Sequence, residues 1–211
     1  MRVPIARDGY RFIAPCLILT AIFAWLLPWV FALLAGVLTL FLVFFFRDFE
    51  RTTPGIVDAV FAAGDGRVDD IEEVEMADFP GGRALKIGCF LSLFNCHVTR
   101  SPVKGRVRKI QYQPGKFHNA MDRKATTENE SNSLLLETEH GPVLVRQIAG
   151  MIARRIVCVA RIGQPLGAGE RIGLIRMGSR VEVYVPADSE TRVKKGASVR
   201  AGESVLAIFK S

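Results

Sequence analysis

Hydrophobic positions divide the chain into two unlike parts. Residues 12–46 carry no charge, and almost every position is apolar. As a single helix this stretch would run about 50 Å at 1.5 Å per residue, well beyond a hydrocarbon core of about 30 Å. Pro28 is the natural break, because proline lacks a backbone donor and ends or kinks a helix. Trp25 and Trp29 beside it suit a bilayer interface. The pattern predicts a helical membrane hairpin over residues 1–46, either two short spans or a re-entrant loop entering one leaflet. Arg2, Arg7 and Arg11 precede the uncharged stretch, and Arg47 and Arg51 follow it. The positive-inside rule then puts both ends in the cytoplasm, so the body is expected on the cytoplasmic face of the cell membrane. A cleaved signal peptide fits less well, since the apolar stretch is too long and lacks a small-residue cleavage site.

After the charged linker 47–55, which ends in Pro54-Gly55, the pattern changes to short β-branched runs separated by glycine and proline. Runs at 56–61, 83–90, 107–112, 133–137, 143–148 and 156–160 predict a compact, mainly β, antiparallel domain over 47–211. The best helix candidate is 121–128. Near the C-terminus Val181, Val183 and Val185 alternate with Arg180, Glu182 and Tyr184, the period-two pattern of a half-buried strand. Gly178-Ser179 interrupts what would otherwise be a continuous strand over 175–185.

A repeat flanks that pair. Gly163, Leu166, Gly169, Glu170 and Ile172 recur at the same spacing as Gly196, Val199, Gly202, Glu203 and Val205. An apolar residue, a two-residue spacer, Gly-Glu and a second apolar residue make a tight hairpin returning into a sheet. The repeat resembles the hammerhead half of biotinyl and lipoyl carrier domains, without a lysine displayed at a hairpin tip.

Composition sharpens this only in part. Hydrophobic residues make up 49% of the chain, and its 28 Lys+Arg against 21 Asp+Glu give a net charge of +7. That excess suits an anionic partner, and with the basic residues scattered and no nucleic-acid motif, the expected partner is a membrane. Cys16, Cys89, Cys96 and Cys158 show no CxxC or metal-binding spacing and read as reduced, buried apolar residues, so no metal site is expected.

Candidate chemistry is sparse. A backbone carbonyl on Gly178, unshielded by a Cβ, is followed by the Ser179 hydroxyl, an arrangement that suits intramolecular attack on the peptide bond. His97 lies in the apolar run 94–103. A lone histidine there is more often a hydrogen-bonded core residue than a catalyst, though Arg100 could bind an anion or depress its pKa. His118 and His140 sit in polar turn contexts and read as surface residues. Asp65, in Gly64-Asp65-Gly66, is by itself a hairpin turn, but with His97 and Ser179 it completes an Asp/His/Ser set able to activate a hydroxyl.

Several segments fall in a telling order: 44–51, 64–68, 94–102, 147–150, 154–156 and 175–181. Together they resemble the phosphatidylserine decarboxylases, in their short membrane-anchored prokaryotic form. The resemblance implies a proenzyme that cleaves itself between Gly178 and Ser179 into a large subunit, 1–178, and a small one, 179–211. Ser179 would become a pyruvoyl cofactor, with Asp65 and His97 activating it beforehand. Phosphatidylserine in the membrane would be the substrate, held through its amine as a Schiff base and decarboxylated to phosphatidylethanolamine. Arg100, Gln147, Arg154 and Arg155 are candidates to bind its phosphodiester, and His97 to return a proton to the substrate Cα. Longer members carry a second histidine where this chain has Arg100, so His97 is expected to serve both steps. A homo-oligomer is compatible with this reading, and no nucleic-acid partner is expected. Two alternatives stay open at this stage: a membrane-tethered, non-catalytic β module that binds lipid or a partner protein, and a pyruvoyl decarboxylase of a soluble amino acid, which would need no membrane anchor.

Overall fold

The computed structural model describes residues 4–116, 118, 123–151, 155–176 and 178–210. They form two compact units, Met1–Glu50 and Arg51–Ser211, divided inside the charged linker.

In the first unit, a 3-10 turn (Arg7–Gly9) leads into α1 (Tyr10–Leu26), which is followed by α2 (Trp29–Phe45). The chain breaks at Leu27-Pro28: Leu27 is extended, and Pro28 precedes the first turn of α2, where its missing donor costs nothing. The helices pack as a hairpin. The Phe23 and Phe31 rings meet edge to face at 6.4 Å, and the Thr20 and Thr39 hydroxyls lie 3.1 Å apart. At the open end Ala6 N–H donates to Phe46 O and Asp48 N–H to Pro4 O, both at 2.8 Å, so the two flanks are sewn together. Leu17, Ile18, Leu33, Leu34 and Leu40 point outward, with Trp25 and Trp29 exposed at the turn. The helical segment Arg7–Leu26 is long and apolar enough to cross a membrane, whereas α2 is shorter.

The second unit is antiparallel throughout its named strands. In chain order these are β1 (Ala59–Phe61), β2 (Gly66–Glu75), β3 (Arg83–Leu91), β4 (Val98–Arg100), β5 (Gly105–Gln113), β6 (Ser131–Thr138) and β7 (Gly141–Ile148). Then come β8 (Ile156–Cys158), β9 (Pro165–Leu166), β10 (Arg171–Ile175), β11 (Ser179–Pro186), β12 (Glu190–Thr191), β13 (Ser198–Val199) and β14 (Val205–Ile208). A helix, α3 (Arg123–Glu128), takes up the later part of the expected helix at 121–128, whose first two residues lie outside the described ones. Each apolar run read from sequence contains or overlaps a strand. The acidic strand β2 escaped notice, because a bulge between Val68 and Asp70 shifts the phase of its alternation.

The strands make a curled eight-stranded sheet, ordered β13-β2-β3-β11-β7-β6-β5-β9, and two three-stranded sheets, β1-β14-β12 and β4-β10-β8. The long order is a palindrome of two equivalent halves. Gly66 pairs with Val199 as Gly105 pairs with Leu166, and the bulge after Val68 has its counterpart after Val107. Gly196 N–H donates to Val68 O and Gly163 N–H to Val107 O, both at 2.7 Å. At the centre Val183 faces Val145, where a pseudo-twofold axis passes. The repeated glycines Gly169 and Gly202 meet back to back: a Cβ on Gly202 would lie 3.1 Å from the Gly169 Cα, and both have positive φ.

One half, β4 to β10, is contiguous. The other half, β1–β3 with β11–β14, is split around it. The equivalence is close at the split: Thr138 pairs with Gly141 across a two-residue turn, and Leu91 pairs with Ser179 in the same way. In place of that turn the second pair receives the whole of the contiguous half. The core is the apolar interior between the sheets, with Val68, Ile87, Leu134, Val145, Ile172 and Val183 among its buried side chains.

Candidate functional site

The two junctions between the halves, after Leu91 and before Ser179, come together at one place. After β3 the chain turns through Ser92–Asn95, where the Asn95 carboxamide accepts from Ser92 N–H (2.9 Å) and Ser92 Oγ (2.7 Å). His97 follows, fully buried, and its backbone carbonyl accepts from Ile175 N–H at 3.2 Å. The second junction leaves β10 at Ile175 and bends at Gly178, whose φ is +65°. A Cβ at Gly178 would meet nothing within 4 Å, so glycine is required there by backbone conformation rather than by space. The sequence suggested one interrupted strand. Instead β10 and β11 belong to different sheets, and Gly178-Ser179 is the point where the chain passes from one to the other.

His97 Nε2 accepts the Gly178 N–H at 3.3 Å, and its Nδ1 lies 3.0 Å from Asn95 O. Since the amide can only donate, the neutral imidazole carries its proton on Nδ1, donating to Asn95, and presents its Nε2 lone pair to the Gly178-Ser179 junction. Ser179 is completely buried, and its Oγ has no hydrogen-bond partner among the described residues. Leaving a buried hydroxyl unsatisfied costs about 1–3 kcal/mol. Such a group is the exception that calls for a functional reason.

The remaining expected residues are placed as follows. The Asp65 carboxylate accepts from Arg51 Nη2 and from Ala201 N–H, each at 2.8 Å. Its hydrogen bonds therefore run to the linker and the β13–β14 turn, not to His97 or Ser179. Burial lowers the Arg51 pKa, but Asp65 and Glu203 outweigh it and hold the guanidinium above its usual range. Gly64, one residue earlier, packs on Leu91 and Val181, which keeps this corner against the strand pair that holds Ser179. Arg100 is buried and donates to Gly169 O at 2.8 Å, tying down the meeting point of the repeated glycines. Gln147 is fully buried; it donates to Thr99 Oγ1 at 2.7 Å and accepts from Asn132 Nδ2 at 2.9 Å. These bonds hold the short strand β4, to which Arg100 belongs and Gln147 bonds, and which follows directly on His97. Arg155 is exposed, and Arg154 lies outside the described residues.

The alternation on β11 also needs correction. All eight residues of the strand are buried, because its polar face is covered as well as its apolar one. Arg180, Glu182 and Tyr184 belong to a buried ionic network that the sequence reading missed; three polar side chains alternating on a strand that begins with a chemically suspect serine were the available signal. Asn95, which sets the His97 tautomer, was missed too. His140 is exposed, as expected, with its ring stacked on Phe209 and paired with Asp58 at 2.9 Å. His118, also expected at the surface, is half-buried and pairs with Glu128 at 3.1 Å. The four cysteines are free, and burial, then Asp69 and Asp65, push the Cys89 thiol up to about 12. Among the described residues no cluster of metal-binding side chains occurs.

The junction therefore sets a buried serine hydroxyl one residue beyond a peptide N–H that a histidine ring nitrogen holds. Residues 38–207 match the phosphatidylserine decarboxylase family, and the chain belongs to it. Members are carboxy-lyases made as self-processing proenzymes and are generally pyruvoyl-dependent. The reaction of this chain is the decarboxylation of phosphatidylserine, a step in phospholipid biosynthesis.

Proposed function

We propose that the chain cleaves itself between Gly178 and Ser179 and that residue 179 becomes the pyruvoyl group used in decarboxylation. The observation that carries this is the orphaned Ser179 Oγ, buried beside a peptide unit whose Gly178 N–H is held by His97. In the first step His97 Nε2 takes the Oγ proton, and Oγ attacks the Gly178 carbonyl carbon. The amide nitrogen of residue 179 leaves with a proton from His97, which gives an ester. Loss of the residue 179 Cα proton then expels the Gly178 carboxylate. Water replaces the resulting nitrogen as ammonia, leaving a ketone at the head of 179–211. His97 must release its bond to Gly178 N–H to reach Oγ, a move of one residue along the same backbone.

The site fits the pyruvoyl group, since the hydroxyl from which it would come is already buried and unrestrained. That group supplies a carbonyl that condenses with the headgroup amine and draws off the electron pair left by departing carbon dioxide. His97, with Nδ1 fixed by Asn95, is the residue able to carry a proton to the substrate Cα at Nε2. Asp65 acts on this site through its corner rather than by direct contact, holding Arg51 and the Ala201 backbone behind the Leu91–Ser179 pair. Arg155 offers an exposed guanidinium for the phosphodiester, and Arg154, the preceding residue in the sequence, is the other candidate. Both flanks of the apolar hairpin emerge at one end, which supports placing both on the cytoplasmic side. The substrate then reaches the site from the membrane, and the two subunits remain products of one chain.

Intact mass of the purified chain tests the proposal. Two fragments, 1–178 and 179–211, are expected, the smaller with a blocked, carbonyl-reactive N-terminus. A single intact chain after prolonged incubation at neutral pH would refute it.

A further inference from the structure

Cleavage before residue 179 turns the middle of a covalent chain into a strand end, at the very residue whose orientation matters. Strand ends fray unless something ties them down. The next residue, Arg180, is tied down unusually well. Its Nε donates to Glu182 Oε1 at 2.8 Å, its Nη1 to Asp69 Oδ2, and its Nη2 lies 3.7 Å from Asp70 Oδ2. Glu182 is fully buried and also accepts from Tyr184 OH (2.6 Å) and Thr126 Oγ1 (3.0 Å). Asp70 is held in turn by Lys86 at 3.0 Å and Lys195 at 3.1 Å. A Cβ on Gly88 would overlap Arg180 Nη2, so the opposite strand is cut back to let the guanidinium through. Burial lowers the Arg180 pKa, but Glu182 and Asp69 outweigh it, and the side chain stays a cation.

Resting on the self-cleavage reading above, we propose that Arg180 is a positioning residue for decarboxylation: its three-carboxylate clamp holds the new N-terminus of the small chain in register against β3 and β7. The uncut chain does not depend on the clamp for this, because residue 179 is then held by the Gly178 peptide. Arg180 alternates along β11 with Ser179 and Val181, so its side chain leaves the strand on the opposite face from theirs. A planar fork is needed to reach carboxylates on β2 and β11 together, and lysine cannot reproduce it.

The test compares the full-length chain in detergent with its Arg180→Lys variant, each alone and in an uncut Ser179→Ala background. Arg180→Lys should be cut like the parent by intact mass, while kcat on phosphatidylserine vesicles falls roughly 10- to 100-fold with KM nearly unchanged. Amide exchange over the first residues of β11 should rise in the cut variant and stay at the parent level in the uncut pair. An unchanged kcat, or an equal rise in exchange in the uncut pair, overturns the proposal. Should Arg180→Lys fail to fold, Asp69→Asn removes one arm of the clamp and must show the same divergence of cutting from turnover; without it the proposal fails. If the parent chain is not cut at all, the self-cleavage reading fails, and that is seen in the parent's own mass.

Discussion

The two halves of the β unit solve one geometric problem in two ways. In the contiguous half, β6 and β7 are joined by Glu139-His140, a turn whose histidine is exposed and paired with Asp58. In the split half, β3 and β11 have the same register, but the turn is replaced by the inserted half, and Ser179, the counterpart of Gly141, is completely buried. Placing a junction inside the molecule does what a surface turn cannot: it strips water from a peptide bond and leaves a hydroxyl beside it with no competing partner. The pseudo-twofold even pairs the contacts between the halves, setting Asp58 against His140 as it sets His97 against Gly178.

The comparison can be broken most severely at Ser179. Ser179→Ala should abolish cleavage and decarboxylation together, read by intact mass and by carbon dioxide release from phosphatidylserine; surviving turnover would mean that the carbonyl lies elsewhere. Next, His97→Ala should slow cleavage by roughly 100-fold or more, the contribution of a positioned base. Cleavage at the parent rate would move that role to another group. A smaller effect sharpens the symmetry itself. Gly202→Ala combines φ of +73° with a Cβ 3.1 Å from Gly169, and should lose about 1–3 kcal/mol in denaturant unfolding. Gly163→Ala has φ of +82° but open space around it, and should lose less. Equal losses would show that the close approach of the glycines is not tight. The smallest change is expected from grafting the Gly-Ser pair onto the closed turn. His140→Gly with Gly141→Ser should give no second cut by intact mass, because Asp58 rather than a buried histidine faces that turn.

Sequence made parts of this legible for clear reasons. The uncharged stretch 12–46 and its Pro28 break were visible because lipid-facing helices tolerate so few residue types. The Gly-Glu hairpins were visible because positive φ at Gly169 and Gly202 forces glycine in both copies. The larger repeat was hidden, since positions facing each half's own partners have diverged: Asp65 occupies the place of Lys104, and Phe61 that of Arg100. Burial of the β11 polar face was hidden for another reason. Arg180 and Glu182 look like a solvated face until Asp69, from a strand far away in sequence, closes over them. At the site the sequence suggested Ser179 and His97, and the structure places them at one junction. The Asp65 carboxylate bonds Arg51 and Ala201, Arg100 bonds Gly169, and Gln147 bonds Thr99 and Asn132, partners that no local pattern announces.

The palindromic sheet order also governs whether a cut molecule can come apart. Residues 179–211 supply β11, paired on both sides by strands of the other fragment, and β14, which lies between β1 and β12 in a different sheet. The fragments can therefore separate only by opening a central strand along its whole length, which amounts to unfolding. Dilution should not dissociate them, and their lifetime as a pair should follow the unfolding rate rather than an equilibrium between subunits.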